Sequence, residues 1–365
     1  MPLSFRPPRE LLRTAETLLI ATAGGVVFTL IGFPAGLIAG SMLAVALAAL
    51  IGRPMQVPLP LARVCFVLVG ILLGAVVTPE MLEGIATWPA SIAILAVSAI
   101  AMFAATACYL RFVHGWDSLS ALLGASPGSM GQVLALSAEL GADLRGVAIV
   151  QTTRVLLIVL GLPAGLALFG LTVGPLAPKP AAATSLPELA LLLAVSTAAA
   201  VAMQWIRFPG GLLFGAMAGS GLLHGFGLVH VSLPWWAGSA AVLTLGAVAG
   251  ARFANTSARM LLDYLGAAFG SFAVAAAIAS CFALVVAALL PLRITDVFVA
   301  FAPGAQDTMM VLALALHLDP IYVGTHHLVR FLIVTFSVAV AARRLGATPT
   351  ARRRWRRPGQ GTFDD

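Results

Sequence analysis

The residues in this chain best able to do chemistry come in pairs. Arg154 and Arg330 each stand about ten residues into an apolar stretch, and each follows an aspartate, Asp143 or Asp319, by eleven residues. Upstream of each lies a proline–glycine break, Ser126-Pro127-Gly128-Ser129 in one case and Ala302-Pro303-Gly304-Ala305 in the other. Equivalent residues are 176 positions apart. Phe33-Pro34-Ala35-Gly36 likewise returns as Phe208-Pro209-Gly210-Gly211, at an offset of 175. The chain is a duplication, so its chemistry is to be sought where the copies agree and where they differ.

An unwound Pro-Gly turn inside a bilayer frees backbone N–H and C=O groups that lipid cannot satisfy, so it must be buried in protein or line a wet cavity. A helix restarting at Ser129 or Ala305 aims free N–H groups and a positive dipole end into that cavity, which suits an anion. The alternative is a simple packing kink, and the recurrence of the break at matching positions favours the functional reading. Ser126, Pro127, Gly128, Ser129 and Gln132 in the first copy, and Pro303, Gly304 and Ala305 in the second, are therefore candidate substrate contacts.

Arg154 and Arg330 join that set as carboxylate ligands. Their alternative role is to bond the loose carbonyls of the broken helices. The aspartates lie about 16 Å of helical rise away, too far for a direct pair. Asp307 stands where the first copy has Gly131. It is a first-turn carboxylate stabilised by the helix dipole, or a coupling group that takes up H⁺ or Na⁺. Glu139 is a weaker coupling candidate. His326 and His327 precede Arg330 by one turn, with His327 in the place of Gln151. Adjacent histidines on a helix diverge by about 100°, so polar lining is preferred to a metal site. No nucleophilic triad, phosphate loop or nucleotide motif is present, and no cofactor is implied.

Elements that could carry these residues follow from composition. The chain is 60% hydrophobic and 10% charged, against about 25% charged in soluble domains. Apolar helices are expected near 15–31, 34–51, 61–78, 88–112 and 144–170, then near 187–206, 209–224, 236–251, 263–290 and 320–342. Each half adds one broken segment, at 118–140 and 294–317. The division is a cytoplasmic tail (1–14), a first membrane repeat (15–171), a linking loop (172–186), a second repeat (187–342) and a basic cytoplasmic tail (343–365). Of the 21 Lys and Arg residues, seven fall between Arg343 and Arg357. Such a segment after an apolar helix points to anionic lipid rather than nucleic acid. Cys65, Cys108 and Cys281 lie in apolar segments with no disulfide or metal spacing. The apolar run from Leu18 is read as a retained first helix rather than a signal peptide.

Topology turns on the broken segments. If each crosses the membrane, the halves have six crossings and are parallel. If each is re-entrant, the halves have five crossings and are inverted. With both termini cytoplasmic and Arg154 and Arg330 set aside, inversion leaves only Lys179 and Arg293 outside, whereas the parallel arrangement puts Arg145, Arg207, Arg252 and Arg259 there. The expected fold is thus an all-α polytopic membrane protein of two inverted repeats, each with about five crossing helices and one re-entrant Pro-Gly helix. Arg53, Arg63, Arg207, Arg252 and Arg259 are then cytoplasmic.

These residues resemble the AbrB-type family of duplicated bacterial integral membrane proteins over about residues 15–345. The resemblance rests on the paired Phe-Pro-x-Gly starts, Gly74-Ala75-Val76-Val77-Thr78-Pro79-Glu80, and Ser126-Pro127-Gly128. Its most specific part runs from Glu139-Leu140-Gly141-Ala142-Asp143-Leu144-Arg145 to Gln151-Thr152-Thr153-Arg154. The family pattern has a second glycine after Pro-Gly, where this chain has Ser129 and Ala305. The resemblance implies a multi-pass protein of the bacterial inner membrane, and members carry labels of ammonia monooxygenase or regulator of gene expression. The residues support neither label directly, because no metal-ligand pattern accompanies the first and no DNA-binding fold the second. The function expected is secondary transport of a small anionic metabolite coupled to H⁺ or Na⁺. The alternative is a membrane regulator or sensor. A homodimer is left open as the assembly.

Overall fold

The computed structural model describes residues 9–77, 88–126, 130–171, 185–254 and 256–344, without the side chains at 130–132, 135, 342 and 343. These residues fold into helices and connecting turns, with no strand among them. The first half supplies α1 (Arg9–Leu30), α2 (Gly36–Leu50), α3 (Leu59–Ala75), α4 (Trp88–Phe112), α5 (Ser118–Ala125), α6 (Met130–Leu140) and α7 (Leu144–Leu168). The second supplies α8 (Leu186–Trp205), α9 (Gly211–Gly225), α10 (Trp235–Gly250), α11 (Ala258–Leu289), α12 (Ile294–Phe301), α13 (Gln306–Ala315) and α14 (Pro320–Arg344). Six of these, α1, α4, α7, α8, α11 and α14, are long and apolar enough to cross a membrane. They are three matched pairs, and the protein is a multi-pass membrane protein. Both expected breaks separate a short helix from a second one.

Two helices begin earlier than hydropathy predicts. Helix α1 starts at Arg9, six residues before the expected 15. Its polar first turns are anchored by side chains: Glu16 pairs with Arg53 at 3.3 Å, and the Thr17 hydroxyl accepts from the Gln56 N–H. Helix α11 starts at Ala258, where Ser257 caps the Met260 N–H. Apolarity marks where lipid begins, while a cap marks where a helix begins.

The helices sort into two bundles, and each bundle draws on both halves. In the first, α2 packs on α10 and α3 on α9, with α1 and α8 outside. In the second, α4 packs on α11 and α14, α7 packs on α11, and the broken pairs α5–α6 and α12–α13 nest against α7 and α14. Exchanging the two halves leaves this contact pattern unchanged. The bundles meet along a narrower seam, where α13 touches α2, α3 and α10, and α7 touches α2 and α10.

Close crossings hold the first bundle together. A side chain on Gly70 or Gly74 would run into the backbone or side chains of α9, and one on Gly246 or Gly250 into α2. The small-x-x-x-small spacing lets backbones approach where lipid offers no hydrophobic drive for helix association. Leu30, Trp205 and many other large apolar residues stay exposed on the outer faces, as a lipid-facing surface requires.

The broken segments have a common closure. Asp143, just past α6, donates its N–H to the Ser120 hydroxyl on the first turn of α5, at 2.8 Å. Asp319, just past α13, does the same to Asp296 Oδ1 on the first turn of α12, at 3.2 Å. The chain therefore leaves each broken segment beside the point where it entered. Asp143 and Asp319 also cap the next helix. Asp143 accepts from the N–H groups of Arg145 and Gly146, and Asp319 from those of Ile321 and Tyr322.

Candidate functional site

The two arginines sit on the breaks. Arg154 Nη2 donates to the Ser126 carbonyl at 3.1 Å and Nη1 to that of Ala125 at 3.4 Å. Arg330 donates to the carbonyls of Phe301, Ala302 and Gly304, the last at 2.9 Å. One turn earlier, Gln151 donates to the Leu123 carbonyl and His327 Nε2 to that of Val299, both at 3.0 Å. Each guanidinium thus donates to carbonyls at the end of a broken helix, where backbone acceptors run short of intrahelical donors. Asp143 and Asp319 cap helices and pair with neither arginine, as their spacing predicts. Arg154 lies within electrostatic reach of Arg330.

Around the second break a cavity of about 520 Å³ opens between the bundles. The first bundle contributes Arg63, Gln204, Arg207 and Arg252, and the second contributes Ala305, Gln306, Asp307, His327 and Arg330. Phe66, Phe208, Phe214 and Phe331 supply apolar wall. Four arginines face one carboxylate. Arg252 pairs with Asp307 across the seam, at 3.3 Å. Three buried donor atoms in this wall have no hydrogen-bond partner: Arg252 Nη1, Gln306 Nε2 and Arg330 Nε. Buried donors without acceptors are costly.

Backbone geometry presents some of these groups. Arg207 is left-handed, with φ 57°, where the first half has Gly32 at φ 75°. A non-glycine residue pays strain for this conformation. Three residues on, Gly210 is also left-handed at φ 66° and begins α9, as Ala35 at φ 55° begins α2.

The sequence-predicted residues separate on this geometry. Ala305, Asp307 and Arg330 come together in the cavity, with Pro303 and Gly304 buried just behind them. Asp307 lies in the first turn of α13 as expected, but with Arg252 as its counter-ion rather than alone. In the first half, Ser126 and Arg154 are buried and bonded to each other. Pro127, Gly128 and Ser129 lie outside the described residues, as does the side chain of Gln132. Glu139 is exposed on the last turns of α6. Among the described residues, no three His, Cys, Asp or Glu side chains converge as metal ligands would. Sequence reasoning missed Gln204, Gln306 and the cavity role of Arg63, Arg207 and Arg252. It had gathered those three arginines onto one membrane face without seeing that they share a pocket.

A family model described as "Transition state regulatory protein AbrB" matches residues 37–346, most of the chain and both of its halves. The chain belongs to this family. It is similar to "Uncharacterized protein YhjN" of Bacillus subtilis (strain 168), at 25% identity over 90% of this chain and 92% of the relative. It is also similar to "Putative regulator AbrB" of Escherichia coli (strain K12), at 25% identity over 80% of this chain and 84% of that protein. The family match covers the paired Pro-Gly breaks, both arginines and the cavity between the bundles. It identifies an AbrB-family membrane protein with several apolar helices.

Proposed function

We propose that this AbrB-family protein is a secondary transporter of a small anionic metabolite, coupled to H⁺ or Na⁺, in a bacterial inner membrane. The observation that carries this reading is the cavity between the bundles, where four arginines and three unpartnered buried donors surround one carboxylate. A net positive, partly apolar pocket at a helix start suits an organic anion. The Arg252–Asp307 pair joins the bundles across the pocket. An anion that draws Arg252 away would loosen that tie, and relative movement of the bundles would change which side the pocket opens to. Asp307 is one seat for the coupling ion, because losing its charge would also free Arg252. The basic C-terminal tail meets anionic lipid.

The topology belongs to this proposal. The hydrogen bonds closing each broken segment support a re-entrant reading, with five crossings per half and inverted repeats. So does the clustering of basic residues. Arg13, Arg53 and Arg252 line one recess, and Arg63, Arg207 and Arg252 line the pocket beside it. A parallel arrangement would put Arg207 and Arg252 on the opposite face from Arg53 and Arg63. Lys179, the expected outside marker, lies beyond the described residues.

A second reading rests on the name of the Escherichia coli relative, a regulator. In it the pocket binds the same anion without moving it, and affects gene expression indirectly. A thermal-shift screen of small carboxylates, phosphates and sulfonates on the purified protein, followed by radiolabelled uptake of the best ligand into proteoliposomes, separates the two. Gradient-driven accumulation is expected. Binding without uptake would establish the sensor.

A further inference from the structure

The second half carries a buried polar column that the first half lacks. It follows α14 from Asp319 through Tyr322 and His326 to His327 and Arg330, about 16 Å of helix. Tyr322 Oη is 2.6 Å from the Ser91 hydroxyl of α4, and that hydroxyl is 2.9 Å from His326 Nε2. All three side chains are buried to within 2%. His326 Nδ1 lies 2.8 Å from the Tyr322 carbonyl, which can only accept. Nδ1 therefore holds the ring proton, and Nε2 accepts from Ser91. At the equivalent positions the first half has Gly146 for Tyr322 and Val150 for His326, and the second half has Ala267 for Ser91. Val150 and Ala267 pack there in an apolar cluster. The fold is thus satisfied by small and apolar side chains at this crossing, and the polar trio answers to something else.

The column and the cavity meet at one place. His326 is one turn from Arg330, and Arg330 with His327 forms the cavity wall. At the other end, Asp319 and Asp296 close the broken segment, and Arg293 pairs with Asp296 at 3.7 Å. Helices α4, α5, α12 and α13 pack on α14. Helix α12 brings Asp296 with Arg293, and α13 brings Asp307 on the cavity side. Helix α14 itself carries Asp319, Tyr322, His327 and Arg330. Helix α4 brings Ser91 and Trp88 to this contact, and Arg154 of α7 lies within electrostatic reach of Arg330.

We propose that His326 is the proton-binding site of this carrier, loaded through Tyr322 and Ser91 from the Asp296–Asp319 end, and that its charge sets anion affinity in the cavity. This deepens the transport reading and rests on it. A proton arriving at Tyr322 Oη displaces the tyrosine's own proton to Ser91, and the serine's proton moves to Nε2. Each hydroxyl gains one proton and loses one. The ring ends as imidazolium, with Nδ1–H still on the Tyr322 carbonyl. In the empty protein, Arg330 opposes that charge. An anion in the cavity screens Arg330 and favours it, so proton and anion load together, and by linkage each raises the affinity for the other. Asp307 is the competing seat for the proton.

The test uses the full-length purified protein and anions that do not titrate: methanesulfonate, benzenesulfonate and sulfate. Calorimetric binding of the tightest probe should strengthen about fivefold or more between about pH 7.5 and about pH 5, within the usual range of site coupling. His326→Gln should keep the affinity seen at about pH 7.5 and lose the pH dependence, while Asp307→Asn should retain it. Titration of wild-type protein in two buffers of different ionisation enthalpy should show proton uptake with the anion, a readout that needs no variant to fold. Absence of uptake overturns the proposal. So does pH dependence that survives in His326→Gln or disappears in Asp307→Asn. If no probe binds at any pH, the cavity reading itself fails, and this proposal with it.

Discussion

The two half-sites share a frame and differ in chemistry. In both, a buried arginine ties down the carbonyls of a broken helix, a polar side chain one turn earlier holds another carbonyl, and an aspartate caps the helix that carries them. At the positions around that frame, the first half has Gly32, Gly131, Gly146 and Val150 where the second has Arg207, Asp307, Tyr322 and His326. The shared residues are those the fold cannot do without. The unshared ones add charge and hydrogen-bonding capacity beside the second break, where the proposed site lies.

The largest effect should come from the shared arginines, and it should appear in both halves. Arg330→Ala removes the donor to the carbonyls of Phe301, Ala302 and Gly304, of which Ala302 alone keeps a backbone donor, and should cost about 3–5 kcal/mol of stability. Arg154→Ala loses two such bonds and should cost about 2–4 kcal/mol. Unfolding in detergent measures both. A harmless Arg154→Ala would break the comparison, because Arg154 would then not be framework.

Arg207→Gly sharpens the comparison by making the second half like the first at one position. The backbone is already left-handed, so glycine should leave stability unchanged or raise it by up to about 1 kcal/mol. The cavity loses one charged donor, and probe-anion affinity should fall about tenfold or more. Unchanged binding would remove Arg207 from the site. The smallest effects belong to the matched starts of α2 and α9. Gly210→Ala puts a Cβ at positive φ, about 3.1 Å from Phe214, and should cost about 1 kcal/mol. Ala35→Gly should shift stability by less than about 1 kcal/mol, toward greater stability. Thermal unfolding that orders these two the other way would show that the helix starts are not equivalent.

Much of the frame was legible in the sequence because it is local or repeated. Pro127-Gly128 and Pro303-Gly304 announced the breaks, and the 176-residue offset paired Arg154 with Arg330. Whether each arginine served ligand or backbone was not legible, since that depends on which carbonyls an unwound turn presents. The pocket was hidden for a different reason. Arg63, Arg207 and Arg252 sit on separate connections, and only the packing of the two bundles brings them to one wall. Ser91 and Tyr322 meet across 231 residues. One signal for that pair was present: aligning the halves sets Tyr322 against Gly146 and His326 against Val150, a change from apolar to polar within a buried face.

The interleaving of the halves bears on the protein's ancestry. Each bundle takes helices from both copies, and α2 and α3 find their partners in α10 and α9 of the other copy. Neither copy is a domain in its own right. A single-copy ancestor with this seam could have folded only as a pair of identical chains, with every charge in the pocket present twice. Joining two copies in one chain lifts that constraint. One could then keep its glycines and valine while the other accumulated arginine, aspartate and histidine. The same interleaving implies that a chain cut within 172–184 would still reassemble, held by the crossings between halves in both bundles.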